Sequence, residues 1–413
     1  MRIGIFTDTY PPFINGVSTS ILVLQKALEK KGHEVFIITV NNEKVGYNFS
    51  DNKIIRIPGI PVGIYDYRLT GIYPIRVIKK IKNLNLDVIH SQTEFGVGTF
   101  ARILAKQFDI PLVHTYHTMY EDYVSSITKG RFKWPSKKII EELTKFYCDK
   151  TASELIVPTK KTYDLFKEKY KVDRKVHIVP SGIEIEKYFH ENYKIEDIIK
   201  LKKELGLKKD DFVILFVGRL GQEKNVDFLI EAHTLLAKRN DKCKLLIVGD
   251  GPLMSKYKKR IKRLRLINSV ILAGKVPFLE VGKYYQLASV FATASLAETQ
   301  GLTVIEALAA SVPILVINDE SYDVAIDNGK NGFKFKNKRE YRKHINYLIN
   351  NPEVLKKMKV TARNSSLKHS ADNFANQVLN VYKIAIGDKQ LEKRKTFFSR
   401  LIKVVKDSWK IKK

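Results

Sequence analysis

The chain has 413 residues, 44% hydrophobic and 28% charged, the composition of a soluble globular protein with room for two or three domains. Its 73 Lys and Arg outnumber 44 Asp and Glu, and the net charge of +29 favours polyanionic partners such as nucleic acid or an anionic membrane surface. No apolar run approaches the ~20 residues of a membrane-spanning helix, and the start MRIGIFTDTYPP predicts a strand, with no signal peptide.

Short apolar runs alternate with longer helical patterns through the first 182 residues. Six runs are expected to be buried parallel strands: RIGIFT, HEVFIITV, DVIHSQ, PLVHTYH, ELIVPT and VHIVPS. A polar, charged linker is expected from Gly182 to about residue 208. The alternation then restarts with DFVILFVGRL, CKLLIVGDGP, SVILAGKV, VFATASLAE and PILVIND. This organisation predicts two doubly wound α/β domains, whose ligands bind at the carboxyl ends of the strands.

Two candidate ligand contacts lie in the first half of the chain. Gly16 follows the first strand and opens the first helix, where the backbone of a glycine can approach phosphate. A tight turn explains this glycine equally well. His117 lies at the carboxyl end of the fourth predicted strand, in the run TYHT. It is better placed for function than His33 or His90, although a lone histidine is more often structural.

A pair of cations follows the strand DFVILFVGRL. Arg219 offers a planar fork that grips two phosphate oxygens, and Lys224 offers a mobile point charge. Together they could offset the charge of a diphosphate leaving group without a metal ion. The alternative is two solvated loop cations.

The most informative motif is Glu298-x7-Glu306 in the run AETQGLTVIEALAA. The junction between its glycine turn and the helix that follows exposes backbone N–H groups at a positive helix terminus, which suits phosphate. A carboxylate accepts two hydrogen bonds and therefore suits the vicinal hydroxyls of a sugar or ribose. A diphosphate between two polyols describes a nucleotide sugar. The alternative is a capped helix with two surface glutamates.

The ordered set of motifs resembles retaining glycosyltransferase family 4. The set comprises Gly-Val near the N terminus, His-Thr after the fourth strand, IVPT, VPSGIE, VGRL-x3-K, VGDGP and E-x7-E, and it spans roughly residues 1–386. The resemblance implies the α/β GT-B fold, in which two Rossmann-like domains face each other across a cleft. The segments FINGVSTSI, HTMYEDYV, IVPTKKTYDLF and ETQGLT are most similar to those of bacterial diacylglycerol glucosyltransferases, which build membrane glycolipids.

Four units are expected along the chain. Residues 1–182 would form a Rossmann-like acceptor and membrane domain, and residues 183–365 a Rossmann-like nucleotide-sugar domain. Residues 366–388 would form a helix that crosses back to the first domain. Residues 389–413 would form a basic amphipathic tail.

The resemblance implies catalytic contacts to the transferred sugar and to the diphosphate. His117 would lie beside the sugar, and Glu298 would bind its hydroxyls. Arg219 and Lys224 would hold the diphosphate, which Gly16 would approach from the first domain.

The remaining implied contacts are to the nucleotide. Backbone N–H groups of Gly301, Leu302 and Thr303 would meet phosphate, and Glu306 would bind the ribose. The base would be recognised through the backbone around Val276, which leaves uracil and guanine both open.

No cofactor is expected beyond the nucleotide-sugar donor, taken to be UDP-glucose. No Asp-x-Asp metal motif stands in a suitable loop, and the family uses cationic side chains and a helix dipole in place of a divalent ion. We therefore expect no essential metal and only modest stimulation by Mg²⁺. The resemblance implies retention of anomeric configuration through a front-face, oxocarbenium-like transfer, with the leaving phosphate helping to deprotonate the acceptor.

Two segments outside the donor site favour a membrane surface. Residues 129–138, KGRFKWPSKK, interleave five basic residues with two aromatics. The last 25 residues hold 10 Lys and Arg against 2 Asp and Glu, and they place apolar residues at helical spacing: Phe398, Leu401, Ile402, Val405 and Trp409. This spacing is typical of an interfacial amphipathic helix. A helix packed on its own protein or on a partner is the alternative.

The leading hypothesis is a peripheral enzyme on the cytoplasmic face of the membrane that transfers glucose from UDP-glucose to diacylglycerol. The same fold acting on another lipid-linked or cell-surface polysaccharide precursor is the alternative. A nucleic-acid-binding protein is a more remote one, because the chain carries no known nucleic-acid module. Oligomeric state is not predicted.

Overall fold

The computed structural model describes residues 1–12, 15–41, 53–61, 68–70, 75–94, 96–117 and 141–410, except the side chains of 61, 68, 69, 394 and 396–410. The basic segment 129–138 and most of the tail's side chains therefore lie outside the description.

The first domain is built on a seven-stranded parallel sheet with the order β3-β2-β1-β6-β7-β8-β9. The strands of this sheet are β1 (Arg2–Thr7), β2 (Glu34–Val40), β3 (Ile54–Ile57), β6 (Val88–Ser91), β7 (Leu112–Thr115), β8 (Glu154–Val157) and β9 (Val176–Ile178). Two short strands, β4 (Ile60–Pro61) and β5 (Arg68–Leu69), form a separate antiparallel pair. Its helices are Gly16–Lys30, Ile75–Lys82, Val97–Phe108 and Lys160–Asp164, with π-helical turns at Phe146–Lys150 and Leu165–Lys169.

The second domain is built on a six-stranded parallel sheet with the order β12-β11-β10-β13-β14-β15. Its strands are β10 (Phe212–Val217), β11 (Cys243–Val248), β12 (Val270–Gly274), β13 (Val290–Thr293), β14 (Ile314–Ile317) and β15 (Gly332–Phe335). Its helices are Ile195–Glu204, Val226–Arg239, Met254–Arg263, Val281–Tyr285, Leu302–Ala309, Lys338–Asn350 and Pro352–Ser366. Short 3₁₀ turns lie at Ile185–Tyr188, His190–Asn192, Gln222–Lys224, Phe278–Glu280, Glu320–Tyr322 and Leu367–His369.

Both sheets are buried on both faces, which explains why their strands read as continuous apolar runs. In β1, Ile3 and Ile5 enter one apolar cluster and Phe6 enters the cluster on the opposite face. In β10, Val213 and Ile214 divide in the same way. The predicted α/β fold with two doubly wound domains is confirmed.

The charged segment after Gly182 is not an extended linker. Ile183, Ile185 and Tyr188 are buried in the core of the second domain, and Ile195–Glu204 is a helix. The abundant charges between these apolar residues concealed their spacing, so the prediction of a linker to residue 208 was wrong.

A single long helix, Ala371–Lys410, returns to the first domain. Phe374, Val378 and Tyr382 pack into the same core as the first helix, Gly16–Lys30. Further along, Lys389 and Lys393 bind the Asp109 carboxylate at 2.8 Å each. The helix is continuous through residue 388, where a separate tail was expected to begin.

Candidate active site

The carboxyl ends of the two sheets face each other across a cleft, and the loop after β13 crosses it. The Thr299 hydroxyl donates to the His117 carbonyl oxygen at 3.0 Å. A Cβ atom placed on Gly16 would lie 4.0 Å from Leu302 Cδ1. The structure thus brings together sequence-predicted elements that lie almost 300 residues apart in the chain.

Two further contacts hold the domains in this arrangement. The Gln300 side chain accepts from the Ser181 N–H and donates to the Ser181 carbonyl, both at 2.8 Å. The Lys161 ammonium lies 2.9 Å from both carboxylate oxygens of Asp319. The cleft is therefore spanned by direct hydrogen bonds and an ion pair.

The helix Leu302–Ala309 begins as the E-x7-E motif predicts. Gly301 has φ +75°, a left-handed conformation that favours glycine, and a Cβ there would lie 2.9 Å from a Tyr322 ring carbon. The helix has no side-chain cap and no acidic residue in its first turn. The N–H groups of Leu302 and Thr303 at this positive terminus are consequently suited to an anion.

Both predicted diphosphate cations lie at the carboxyl end of β10 and carry carboxylate partners. Arg219 Nη2 lies 2.7 Å from Glu223 Oε1, and Lys224 Nζ lies 2.5 Å from Glu298 Oε1. The Lys224 and Glu298 side chains are only 25% and 16% exposed. These cations are therefore not freely solvated loop residues. A diphosphate bound here would compete with Glu223 and Glu298 for the two cations.

The position of Glu298 depends on Glu223, a residue that sequence reasoning missed. The Glu223 carbonyl accepts from the Leu296 N–H at 2.8 Å and from the Ser295 hydroxyl at 3.3 Å. These bonds fix the loop after β13 on the 3₁₀ turn that carries Lys224. The spacing of Arg219 and Glu223, four residues apart with opposite charges, is the sequence signal that could have found the pair.

Glu306 is buried, with 7% of its surface exposed, so the interpretation of two surface glutamates fails for this residue. The Tyr285 hydroxyl donates to its Oε2 at 2.7 Å, and the Tyr188 hydroxyl bonds the same carboxylate. Burial raises the pKa of Glu306, and the two tyrosine hydrogen bonds oppose that rise. Glu306 still lines a cleft between the domains.

That cleft lies beside the first helix and encloses about 500 Å³, including space open to solvent. Residues from both domains line it: Pro11, Ser18, Thr19, Leu22, Val23, Ile183, Glu184, Lys187, Tyr188, Phe278 and Glu306. Val276 follows β12 and packs its side chain against the core of the second domain. Glu306 lines this cleft and Val276 is not among the described residues that line it, and the nucleoside contacts expected from both remain predictions.

His117 belongs to a buried polar network at the carboxyl ends of β6 and β7. Its Nε2 lies 2.6 Å from Gln92 Oε1, and Gln92 Nε2 lies 3.1 Å from the His90 ring. Burial lowers the pKa of His117 to about 4, so the ring is neutral at neutral pH. Nearby, His114 Nε2 lies 3.3 Å from a carboxylate oxygen of the buried Glu94.

Asp8, at the end of β1, was also missed by sequence reasoning. Its carboxylate accepts from the Thr93 hydroxyl at 2.5 Å and from the Val97 N–H at 2.9 Å, and so caps the helix Val97–Phe108. Burial raises the pKa of Asp8 to about 6. The polar residues directly after β1 and β6, the runs TDT and SQTE, were the available signal, because strand ends in such sheets carry the ligand-binding loops.

Among the described residues, no group of three His, Cys, Asp or Glu side chains is arranged to hold a metal ion. Metal independence remains a prediction.

Two family models match the chain: Glycosyltransferase Family 4 over residues 14–187 and Glycosyl transferases group 1 over residues 197–365. Alpha-monoglucosyldiacylglycerol synthase of Acholeplasma laidlawii is 37% identical over 402 residues, which cover 95% of this chain and 100% of that protein. The Streptococcus pneumoniae protein of the same name is 34% identical over 98% of this chain and 91% of its own length.

Solved structures agree on the fold. HepE of Anabaena, in complex with UDP, has a TM-score of 0.73 at 17% identity and covers 93% of this chain and 100% of its own. Its complex with UDP-glucose gives a TM-score of 0.71, also at 17% identity, over 93% of this chain and 99% of its own. The resemblance drawn from the motifs is confirmed, and the chain belongs to glycosyltransferase family 4, with the GT-B fold.

Proposed function

We propose that this chain transfers a glucosyl group from UDP-glucose to the free hydroxyl of diacylglycerol and so makes a monoglucosyldiacylglycerol. The observation that carries the proposal is that the ion pairs Arg219–Glu223 and Lys224–Glu298 lie beside the loop that leads to an uncapped helix terminus, and that this loop contacts the first domain. The acceptor is supported by two relatives that are named for this product and align with nearly the whole chain.

The donor follows from the chemistry of the cleft. Two cations and the helix terminus match a diphosphate, and carboxylates on either side match the hydroxyls of a hexose and a ribose. HepE, which shares the fold, was solved with UDP and with UDP-glucose. These observations support a UDP-sugar.

Transfer requires the bond between the sugar C1 and the diphosphate oxygen to break while the acceptor oxygen bonds to C1. Arg219, Lys224 and the Leu302–Ala309 helix terminus would stabilise the negative charge that develops on departing UDP. A phosphate oxygen of UDP would accept the proton of the acceptor hydroxyl. Attack from the face that UDP leaves would retain the α configuration.

His117 would act as a neutral neighbour of the sugar. Burial lowers its pKa to about 4, so a neutral ring would exchange hydrogen bonds with hydroxyls and add no charge to the oxocarbenium-like sugar. The bond from Thr299 to the His117 carbonyl would hold this side of the sugar site at a fixed distance from Glu298.

Access to a lipid acceptor would depend on contact with an anionic membrane surface. The helix Ile75–Lys82 supports such contact, because it carries four cations and no acid, and Ile75 is 83% exposed. Ile81 is buried in the first-domain core, and Val77 and Ile78 pack partly against it. No helix in the described part of the chain is long and apolar enough to cross a bilayer. We therefore propose peripheral binding at the anionic cytoplasmic leaflet.

A panel of labelled nucleotide sugars and mixed lipid vesicles tests the proposal. Glucosyl transfer from UDP-glucose to vesicles that contain diacylglycerol, and none to matched vesicles without it, is the expected result. Transfer only to another lipid-linked or polysaccharide acceptor would overturn the acceptor assignment. Lys224→Ala should lower the signal by at least ~100-fold, and Lys258→Ala, at an exposed lysine of the same domain, serves as the matched control.

A further inference from the structure

The buried carboxylate of Glu306 has neutral hydrogen-bond donors as its partners. Tyr285 donates at 2.7 Å and Tyr188 bonds the same group. A carboxylate has about four acceptor positions, so two remain after both tyrosines have donated. Two positions are what a pair of vicinal ribose hydroxyls needs.

The two tyrosines are themselves firmly placed. Their rings meet edge to face with centroids 5.6 Å apart, and Tyr285 also packs against Phe291. The Tyr188 carbonyl accepts from the Gln286 side chain at 2.9 Å. Because these rings are packed on several sides, their hydroxyls define where the Glu306 carboxylate points.

The charged side chains that line the cleft beside Glu306 form ion pairs with one another, so the two tyrosines are the hydrogen-bond partners of its carboxylate. Glu184 and Lys187 line the same cleft and pair with each other, and Glu184 also pairs with Lys26 of the first helix at 3.5 Å. Burial and the neighbouring carboxylate raise the pKa of Tyr285, so its hydroxyl stays protonated and remains a donor.

We propose, on the basis of the function above, that Tyr285 and Tyr188 are positioning residues of the nucleotide site that keep the Glu306 carboxylate ionised and oriented to accept both vicinal hydroxyls of ribose. A protonated Glu306 would lose one of the two acceptors and bind ribose more weakly. Loss of either tyrosine hydroxyl would move that protonation to higher pH, because a buried carboxylate with fewer donors is harder to ionise.

The test is calorimetric titration of the full-length protein with UDP and with 2′,3′-dideoxy-UDP from pH 6 to pH 9. Tyr285→Phe is the test variant. Tyr284→Phe is the matched control, because it removes the same atom from the adjacent, half-buried residue. Titration of the UDP phosphate is common to both variants and cancels in their ratio.

We expect Tyr285→Phe to bind UDP about tenfold more weakly than the control at the low-pH end of this range, the fold-change that a pKa shift of one unit produces, and to approach the control at the high-pH end. Affinity for 2′,3′-dideoxy-UDP should be equal in both variants at every pH. An equal loss at all pH values, or an equal loss for the dideoxy nucleotide, would overturn the inference and leave a structural role.

Thermal unfolding shows whether Tyr285→Phe is folded, and Tyr188→Phe provides the same test if it is not. UDP binding by the unaltered protein tests the donor separately. If UDP binds and neither tyrosine variant shows a pH-dependent loss, the inference alone fails. If neither UDP nor GDP binds the unaltered protein, the proposed function fails as well.

Discussion

Removal of the Lys224 ammonium tests the diphosphate site most sharply. This side chain is mostly buried beside Glu298, so its charge acts where solvent screens poorly. Two unit charges 4 Å apart at an effective dielectric constant of 20 interact by about 4 kcal/mol. UDP is already charged before transfer, so only the charge that develops as it leaves contributes to turnover. We therefore expect Lys224→Ala to lower kcat by at least ~100-fold, on the scale of one lost contact to a developing anion.

The assay is steady-state transfer to diacylglycerol vesicles, with kcat and KM measured separately for Lys224→Ala, Arg219→Ala and Lys258→Ala. Arg219→Ala should lower kcat by as much as Lys224→Ala, because each variant also leaves a carboxylate, Glu223 or Glu298, without its cation. The Lys258 variant should retain full turnover. Near-normal kcat in both cleft variants would refute the diphosphate assignment.

Three other perturbations address separate parts of the site and the tail. Glu306→Ala should chiefly weaken binding of free UDP in calorimetry, and unchanged affinity would remove the ribose assignment. Activity should survive EDTA, with modest stimulation by Mg²⁺ at most; complete loss restored by metal would contradict the cation-based site. Changing Phe398, Leu401 and Trp409 together to Ser, with every charge kept, should strongly impair binding to anionic vesicles while UDP binding stays intact. Unchanged vesicle affinity and activity on lipid acceptors would show that the tail does not insert.

Asp8, directly after β1, offers a separate test of a buried carboxyl group. Because burial raises its folded pKa to about 6, the folded protein retains a proton that the unfolded chain loses near pH 4. The contribution of Asp8 to the free energy of unfolding should therefore fall as pH rises from about 4 to about 6. Relative to Asp8→Asn, the free energy of unfolding of the wild type should fall across this window in urea titrations. A pH-independent difference would show that the carboxyl is not perturbed.

The fold was largely readable from the sequence because strands buried on both faces give unbroken apolar runs, as in β10. The linker was misread because the apolar spacing of Ile183, Ile185 and Tyr188 is diluted by charge. The short edge strands β3 and β15 were missed for a related reason: Arg56 and Lys334 interrupt their apolar pattern.

For the site, sequence order identified residues that meet across the cleft, such as Gly16 and Leu302. Sequence order could not identify the side chains that hydrogen-bond to the predicted site residues. Gln92 at His117 and Tyr285 at Glu306 are defined by tertiary packing, which local pattern does not encode.

Product analysis tests the central claim most directly. The purified protein, UDP-glucose labelled at C1 and vesicles of diacylglycerol with anionic phospholipid should yield a lipid whose mass equals diacylglycerol plus one hexose. Nuclear magnetic resonance of the labelled C1 should show an α linkage to the glycerol hydroxyl. Release of free glucose without glycolipid, or a β-linked product, would contradict the account.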